Sequence, residues 1–112
     1  MPFEIFQSDK NQKYYFRLKA GNGEIILQSE AHDTKAEVEQ DIQWVIDHAE
    51  HDNNYGYSRS KDGQHYFFLI ASNKNIIGHS ETYKQEAGMR NGVDSVRRNA
   101  VEGVEIKDLT TA

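Results

Sequence analysis

The sequence predicts an α+β fold built twice over, and three observations carry that prediction. First, the stretch Leu18-Lys-Ala-Gly-Asn-Gly-Glu-Ile-Ile-Leu-Gln-Ser-Glu30 returns as Leu69-Ile-Ala-Ser-Asn-Lys-Asn-Ile-Ile-Gly-His-Ser-Glu81, at a constant offset of 51 positions and without a gap. A fixed register of this kind marks a duplicated unit. Second, short alternating or aromatic-rich runs bounded by turn-forming residues flank each copy, as strands do. Third, each copy is followed by a run whose apolar residues step by three or four, the spacing of an amphipathic helix. The order strand-strand-strand-helix therefore occurs twice and is closed by a last short strand. Antiparallel hairpins with helices segregated to one face make an α+β fold.

Phe3-Glu-Ile-Phe6 reads as the first strand and Ser8–Gln12 as a turn. Lys13–Ala20 is a half-buried strand with Phe16, Leu18 and Ala20 on one face and Tyr15, Arg17 and Lys19 on the other. Asn22-Gly23 predicts a type I′ hairpin, because both residues tolerate positive φ. The strand Glu24–Gln28 returns from it, and both Ile25 and Ile26 are expected to be partly covered, since both persist in the second copy while Leu27 becomes Gly78. Thr34-x-x-Glu37 has the form of a capping box. Behind it Val38, Ile42, Val45, Ile46 and Ala49 make one stripe, with Trp44 off it and a helix end between His48 and His51.

The second unit repeats the course. Tyr55–Arg59, Gln64–Ala71 and a strand opening at Ile76-Ile77 precede a helix from about Gln85 to Asn99, whose stripe is Met89, Val93, Val96 and Ala100. Gly103 breaks it, and Val104–Asp108 alternates as a closing strand.

At 112 residues the chain is one domain spanning 1–112, built of repeat one (1–51) and repeat two (52–112). Each repeat alone buries too little apolar surface for independent stability, so the two are expected to share a core. The absence of Cys removes disulfides and thiolate metal sites. No apolar run reaches the roughly 20 residues of a membrane span. The opening Met1-Pro-Phe-Glu-Ile5 lacks the basic-then-apolar layout of a secretory leader. The expectation is a cytoplasmic protein with no membrane association. A formal charge of −5 and a pI of about 5.5 oppose broad electrostatic capture of nucleic acid.

The chain resembles the YegP-like family of small, mostly bacterial proteins of unknown function. The residues that carry the likeness are Arg17–Glu24, Ile77-Gly-x-Ser80, the two Ser-Glu pairs, and Gly92-Val-Asp-Ser-Val-Arg-Arg-Asn99. That last segment is similar to the family's Gly-Ile-x-Ser-Val-(Arg/Lys)-x-Asn signature. The resemblance implies that the two units assemble into a single antiparallel sheet, with the strands after the helices exchanged between units, and that a two-copy chain is a monomer with internal pseudo-two-fold symmetry. The first unit departs from the signature, reading Asp41-Ile-Gln-Trp-Val45. The resemblance supplies no catalytic residues.

Ser29-Glu30 and Ser80-Glu81 are the repeated polar motif. Two equivalent hydroxyl-carboxylate pairs would suit a polar ligand bound twice, but a duplicated fold also duplicates its connections, and hydroxyls closing a strand against free amides is the structural reading. No His stands consistently beside either Ser, so a nucleophilic dyad is not supported. His48-x-x-His51 would place two imidazoles on one face only if the helix continued, so no metal and no cofactor are predicted.

The outward face of the central strands is the candidate interaction surface: Tyr15, Arg17 and Lys19 from the first unit, Tyr66, Phe68 and Ile70 from the second. Trp44 and Arg97-Arg98 are secondary candidates, with the Trp expected under the Asp52–Asn54 loop. The leading reading is a small binding or interaction module without catalysis, taking a protein partner. A nucleic-acid binder that stacks bases on this aromatic and basic face is the alternative, against which the acidic charge weighs. An enzyme acting at the Ser-Glu pairs is the third.

Overall fold

The computed structural model describes residues 3–110; Met1 and Pro2 of the expected leader-free start, and Thr111 and Ala112 at the end of the domain span, lie outside the described residues. The chain forms β1 (Phe3–Gln7), β2 (Tyr14–Lys19), β3 (Ile25–Ser29), α1 (Lys35–His48), a 3₁₀ turn (Asp52–Asn54), β4 (Tyr55–Arg59), β5 (His65–Ile70), β6 (Ile76–His79), α2 (Glu86–Asn99) and β7 (Ile106–Asp108). All seven strands join one sheet in the order β4-β5-β6-β3-β2-β1-β7. The two repeats meet where β3 pairs antiparallel with β6.

That junction lies on the pseudo-two-fold axis. Gln28 pairs with His79, its own counterpart in the other repeat. Near the axis two equivalent side chains compete for one space. Leu27 is fully buried there, and at its counterpart Gly78 a Cβ would stand 2.8 Å from the carbonyl oxygen of Gln28 and 3.4 Å from Leu27 Cγ. The loss of leucine in the second copy is thus a packing necessity.

One face of the sheet carries Phe16, Leu18, Phe67 and Leu69, all fully buried under the helices. From α1 come Val38, Ile42 and Val45; from α2 come Met89, Val93 and Val96. These join a single cluster across both repeats. Thr34 caps α1 as predicted: its Oγ1 accepts from the Glu37 amide while Glu37 Oε1 accepts from the Thr34 amide. Trp44 is partly buried against the core. It lies flat on His48 one turn along, with ring centroids 4.3 Å apart and planes inclined by 15°.

Two features depart from the sequence reading. The sheet is not wholly antiparallel, because β7 runs parallel to β1. The exchange of the strands that follow the helices is as expected: β7, after α2, pairs with β1 of the first unit, and β4, after α1, pairs with β5 of the second. The Asn22-Gly23 hairpin is a three-residue loop closed by Ala20 and Glu24, in which only Gly23 has positive φ (84°). A bulge between Leu18 and Lys19 absorbs the extra residue. The same bulge, repeated between Leu69 and Ile70, accompanies burial of Ile26 and Ile77, whereas Ile25 is half-buried and Ile76 exposed.

Candidate functional site

Strand alternation sets the candidate surface. With Phe16, Leu18, Phe67 and Leu69 turned to the helices, Tyr15, Arg17, Lys19, Tyr66, Phe68 and Ile70 face the other way, and all six are half-buried. Both helices pack on the opposite side, so this face has no helical layer over it.

In the first repeat the face is filled by its own partners. Tyr15 stacks on Phe6 at 5.4 Å, and the Arg17 guanidinium sits 4.4 Å above the same ring. Arg17 Nε donates to Glu4 Oε1 at 2.7 Å, and Lys19 Nζ lies 3.3 Å from that oxygen. Glu4 is only 8 % exposed. The Arg17 hydrogen bond, helped by Lys19 and opposed by burial, holds its carboxyl below the usual carboxylate range. The structure thus brings Tyr15 and Arg17 together on the Phe6 ring, and Arg17 and Lys19 together around a carboxylate that the sequence reading does not single out. The signal was there: an acid flanked by Phe3 and Ile5 in a strand needs a cation from the neighbouring strand.

In the second repeat the same face is open. Tyr66 and Phe68 lie 6.4 Å apart with rings tilted by 47°. Phe68 leans over Gly56, where a Cβ would collide with its ring. Beside these rings runs a groove of about 640 Å³, lined also by Tyr57, Ser58, Ile76 and His79. Glu30 reaches it from the first repeat, its Oε2 3.2 Å from His79 Nδ1. Ile70 is not part of this groove; it borders a separate depression near Asn54, whose side-chain amide donates to the Ile70 carbonyl.

The repeated serines are built into the main chain. Ser29 Oγ accepts from the Phe16 amide at 2.8 Å and donates to the Glu30 carbonyl at 2.9 Å. Ser80 Oγ accepts from the Phe67 amide at 3.0 Å and donates to the Glu81 carbonyl at 2.7 Å. Both serines are buried, and each hydroxyl supplies a partner to an interior strand amide. The two glutamates have separate surroundings: Glu30 faces the aromatic groove, whereas Glu81 borders the Gly23–Ile25 turn with Tyr83.

Among the described residues no three His, Asp or Glu side chains gather as a metal cluster. His48 Nδ1 is 2.8 Å from the Trp44 carbonyl, and His32 Nε2 is 2.7 Å from Asp41 Oδ2. Burial pushes the Asp41 carboxyl up, against the pull of His32. The Arg97 guanidinium lies over the Tyr55 ring at 5.4 Å and pairs with Asp52. Among the described residues no helix is long and apolar enough to cross a membrane.

Comparison with known proteins agrees with this architecture. A family model described as a domain of unknown function, DUF1508, matches twice, over residues 9–55 and 60–105. The UPF0339 protein YegP of Yersinia pestis is 42% identical over 101 residues, covering 90% of this chain and 89% of the relative. The UPF0339 protein plu2779 of Photorhabdus laumondii is 40% identical over 101 residues, covering 90% and 88%. Two solution NMR structures share the fold. YegP of E. coli, described as a protein of unknown function, superimposes with a TM-score of 0.89 at 34% identity, covering 98% of this chain and 93% of that one. The UPF0339 protein SO3888 of Shewanella oneidensis gives 0.87 at 37% identity, covering 96% and 89%. With the domain matched once in each repeat and the likeness running almost end to end, the chain belongs to the DUF1508 family, among its tandem UPF0339 (YegP) members, a family of unknown function.

Proposed function

We propose that this chain is a small, non-catalytic interaction module of the cytoplasm, acting as a monomer, that engages a protein partner on the helix-free face of its second repeat. One observation carries the reading: equivalent positions are closed by an internal ion-pair cluster around Glu4 in one repeat and left as an aromatic groove beside Tyr66 and Phe68 in the other. Rings on a rigid strand offer large apolar contact at small entropic cost, with Ser58 and the His79–Glu30 pair as polar markers at the rim. The cations that would draw nucleic acid to this face, Arg17 and Lys19, are engaged by Glu4. The motif serines spend their hydroxyls on the main chain, which supports a module without catalysis.

A photoreactive residue placed at position 66 or, as control, at position 15 tests the proposal in native lysate. The expected result is a discrete protein adduct from position 66 that is absent from position 15 and is lost with Phe68→Ala. The same adducts from both positions, or none from 66, would overturn it. In a parallel amide NMR titration with short single-stranded DNA and RNA at low salt, salt-sensitive shifts at Arg17 and Lys19 would put nucleic acid in the partner's place.

A further inference from the structure

The two ends of the sheet are treated differently. At one end β1 is covered by β7, with the Phe3 amide donating to Glu105 O and the Leu109 amide to Ile5 O, both at 2.9 Å. At the other end β4 has only β5 beside it among the described residues. Ile5 and Tyr57 hold equivalent places, opposite Phe16 and Phe67 respectively. Ile5 is 2 % exposed and Tyr57 is 49 % exposed. The Tyr55 amide, counterpart of Phe3, is satisfied by the Asp52 carbonyl of the 3₁₀ turn. The main-chain groups of Tyr57 and Arg59 alternate outward with no strand to receive them. An uncovered edge of this kind is a template for strand addition.

The covered end shows what the open one is shaped to receive. On β7, Lys107 lies beside Glu4 on the helix-free side, and Asp108 lies beside Ile5, where Lys35 Nζ holds its carboxylate at 2.8 Å. At the open end Gly56 replaces Glu4 and the Phe68 ring leans across it, so the first of these two positions calls for an apolar residue. At the second position α2 begins with Glu86, but Arg90 follows one turn on and Arg59 stands where β1 has Gln7. Arg59, Glu86 and Arg90 border one depression beside Tyr57. Arg90 Nε is held by Glu86 Oε2 at 3.0 Å, so those two charges offset one another and Arg59 supplies the remaining positive charge that keeps the preference for an acid. Tyr57 also borders the aromatic groove on the other face, so an added strand would fill both sides at once.

We propose that the outer edge of β4 accepts an extended segment of a partner protein, added parallel to Gly56–Arg59 and carrying an apolar residue beside Gly56 followed by an acidic one beside Tyr57. This rests on the reading of the chain as an interaction module and names the segment it takes.

The probe is a synthetic peptide of residues 103–110 bearing Lys107→Leu, titrated into the ¹⁵N-labelled full chain. Shifts and slowed hydrogen exchange at Tyr57 and Arg59 are expected. Asp108→Lys in the peptide should weaken binding by roughly two- to fivefold. Tyr57→Pro in the protein, tolerated where an edge amide points outward, should abolish it while the spectrum stays dispersed. Independently of that variant's folding, Arg59→Glu with Arg90→Glu should reverse the preference toward the Asp108→Lys peptide. Binding indifferent to both sets of substitutions would overturn strand addition, as would shifts at Phe3–Ile5 from displacement of β7. Shifts confined to Tyr66, Phe68 and His79 would overturn it while leaving the sheet-face reading intact. Concentration-dependent shifts at Tyr57 without peptide would assign the edge to a second copy of the chain, against the proposal.

Discussion

The hydroxyl of Tyr83 lies 2.5 Å from the point where a Cβ on residue 92 would stand, so Tyr83 fits only because residue 92 is Gly. The first repeat fills the same place differently. His32 occupies the position of Tyr83, each pairing as an isolated bridge with the first residue of a central strand, Tyr14 or His65. Opposite His32 stands Asp41, the counterpart of Gly92, at 2.7 Å. A small ring with an acid in one repeat equals a larger ring with a glycine in the other. This accounts for the first helix reading Asp41-Ile-Gln-Trp-Val45 where the second begins Gly92-Val.

Gly92→Ala is accordingly expected to destabilise the fold by about 1–3 kcal/mol, the usual range for overpacking. The added methyl meets both the Tyr83 phenol and Phe67 Cε2, which lies 3.1 Å from the Cβ position. Tyr83→Phe in the same chain removes the nearer obstacle and should recover part of the loss. Urea denaturation of the two single variants and the double variant measures this coupling. Additive effects would show that Tyr83 and Gly92 do not share the space.

Gly78→Ala should behave otherwise. Its nearest obstacle is the main-chain oxygen of Gln28 at 2.8 Å, which no side-chain truncation removes. We expect a loss of about 1–3 kcal/mol that persists in a Leu27→Ala background, where the cavity left by Leu27 costs a further 2–5 kcal/mol or about that. Denaturation midpoints of Gly78→Ala, Leu27→Ala and the double variant decide the matter. Rescue of Gly78→Ala by Leu27→Ala would place the conflict on the side chain.

What the sequence made legible was local or periodic. The Thr34–Glu37 box, the stripes of both helices and the inward set of the central strands follow from short-range rules and stand in the structure. The constant offset announced the shared core, since neither half could bury enough alone. What stayed hidden depends on contacts distant in sequence. The parallel docking of β7 on β1 joins residues about a hundred positions apart, and no local pattern distinguishes it from antiparallel pairing. The form of the turn at Asn22-Gly23 is not legible locally, because a bulge at Leu18/Lys19 changes the loop length without changing the sequence signal. On the candidate surface, alternation found all six side chains but not the Glu4 cluster that closes half of it.

The equivalent hairpin of the second repeat places Lys74 at φ 70°, where the first repeat has Gly23 at 84°. The two loops are otherwise matched, with Gly23 and Lys74 each donating to the carbonyl of Ala20 or Ala71. A left-handed backbone costs a non-glycine residue roughly 1–2 kcal/mol, part of which glycine returns through its greater freedom when unfolded. Lys74→Gly should therefore raise stability by up to about 1 kcal/mol, read as a higher urea midpoint with unchanged slope. A lower midpoint would mean that the lysine side chain contributes more than its backbone costs.

Asp108 gives the crossing strand a pH dependence. The Lys35 ammonium, then the Thr110 hydroxyl and amide, hold its carboxyl at about 2, below the roughly 3.9 of an unfolded chain. A group with a lowered folded pKa contributes stability above its unfolded value and loses it as pH falls through the folded one. Protection of the Ile106–Asp108 amides against hydrogen exchange should thus decline between about pH 4 and pH 2, with exchange rates corrected for their intrinsic pH dependence. In Asp108→Asn that segment should be less protected at neutral pH, and its protection should no longer carry this step. Loss of protection at the same pH in β7 and in the central strands β2 and β5 would instead mean that the crossing strand opens only with the whole sheet.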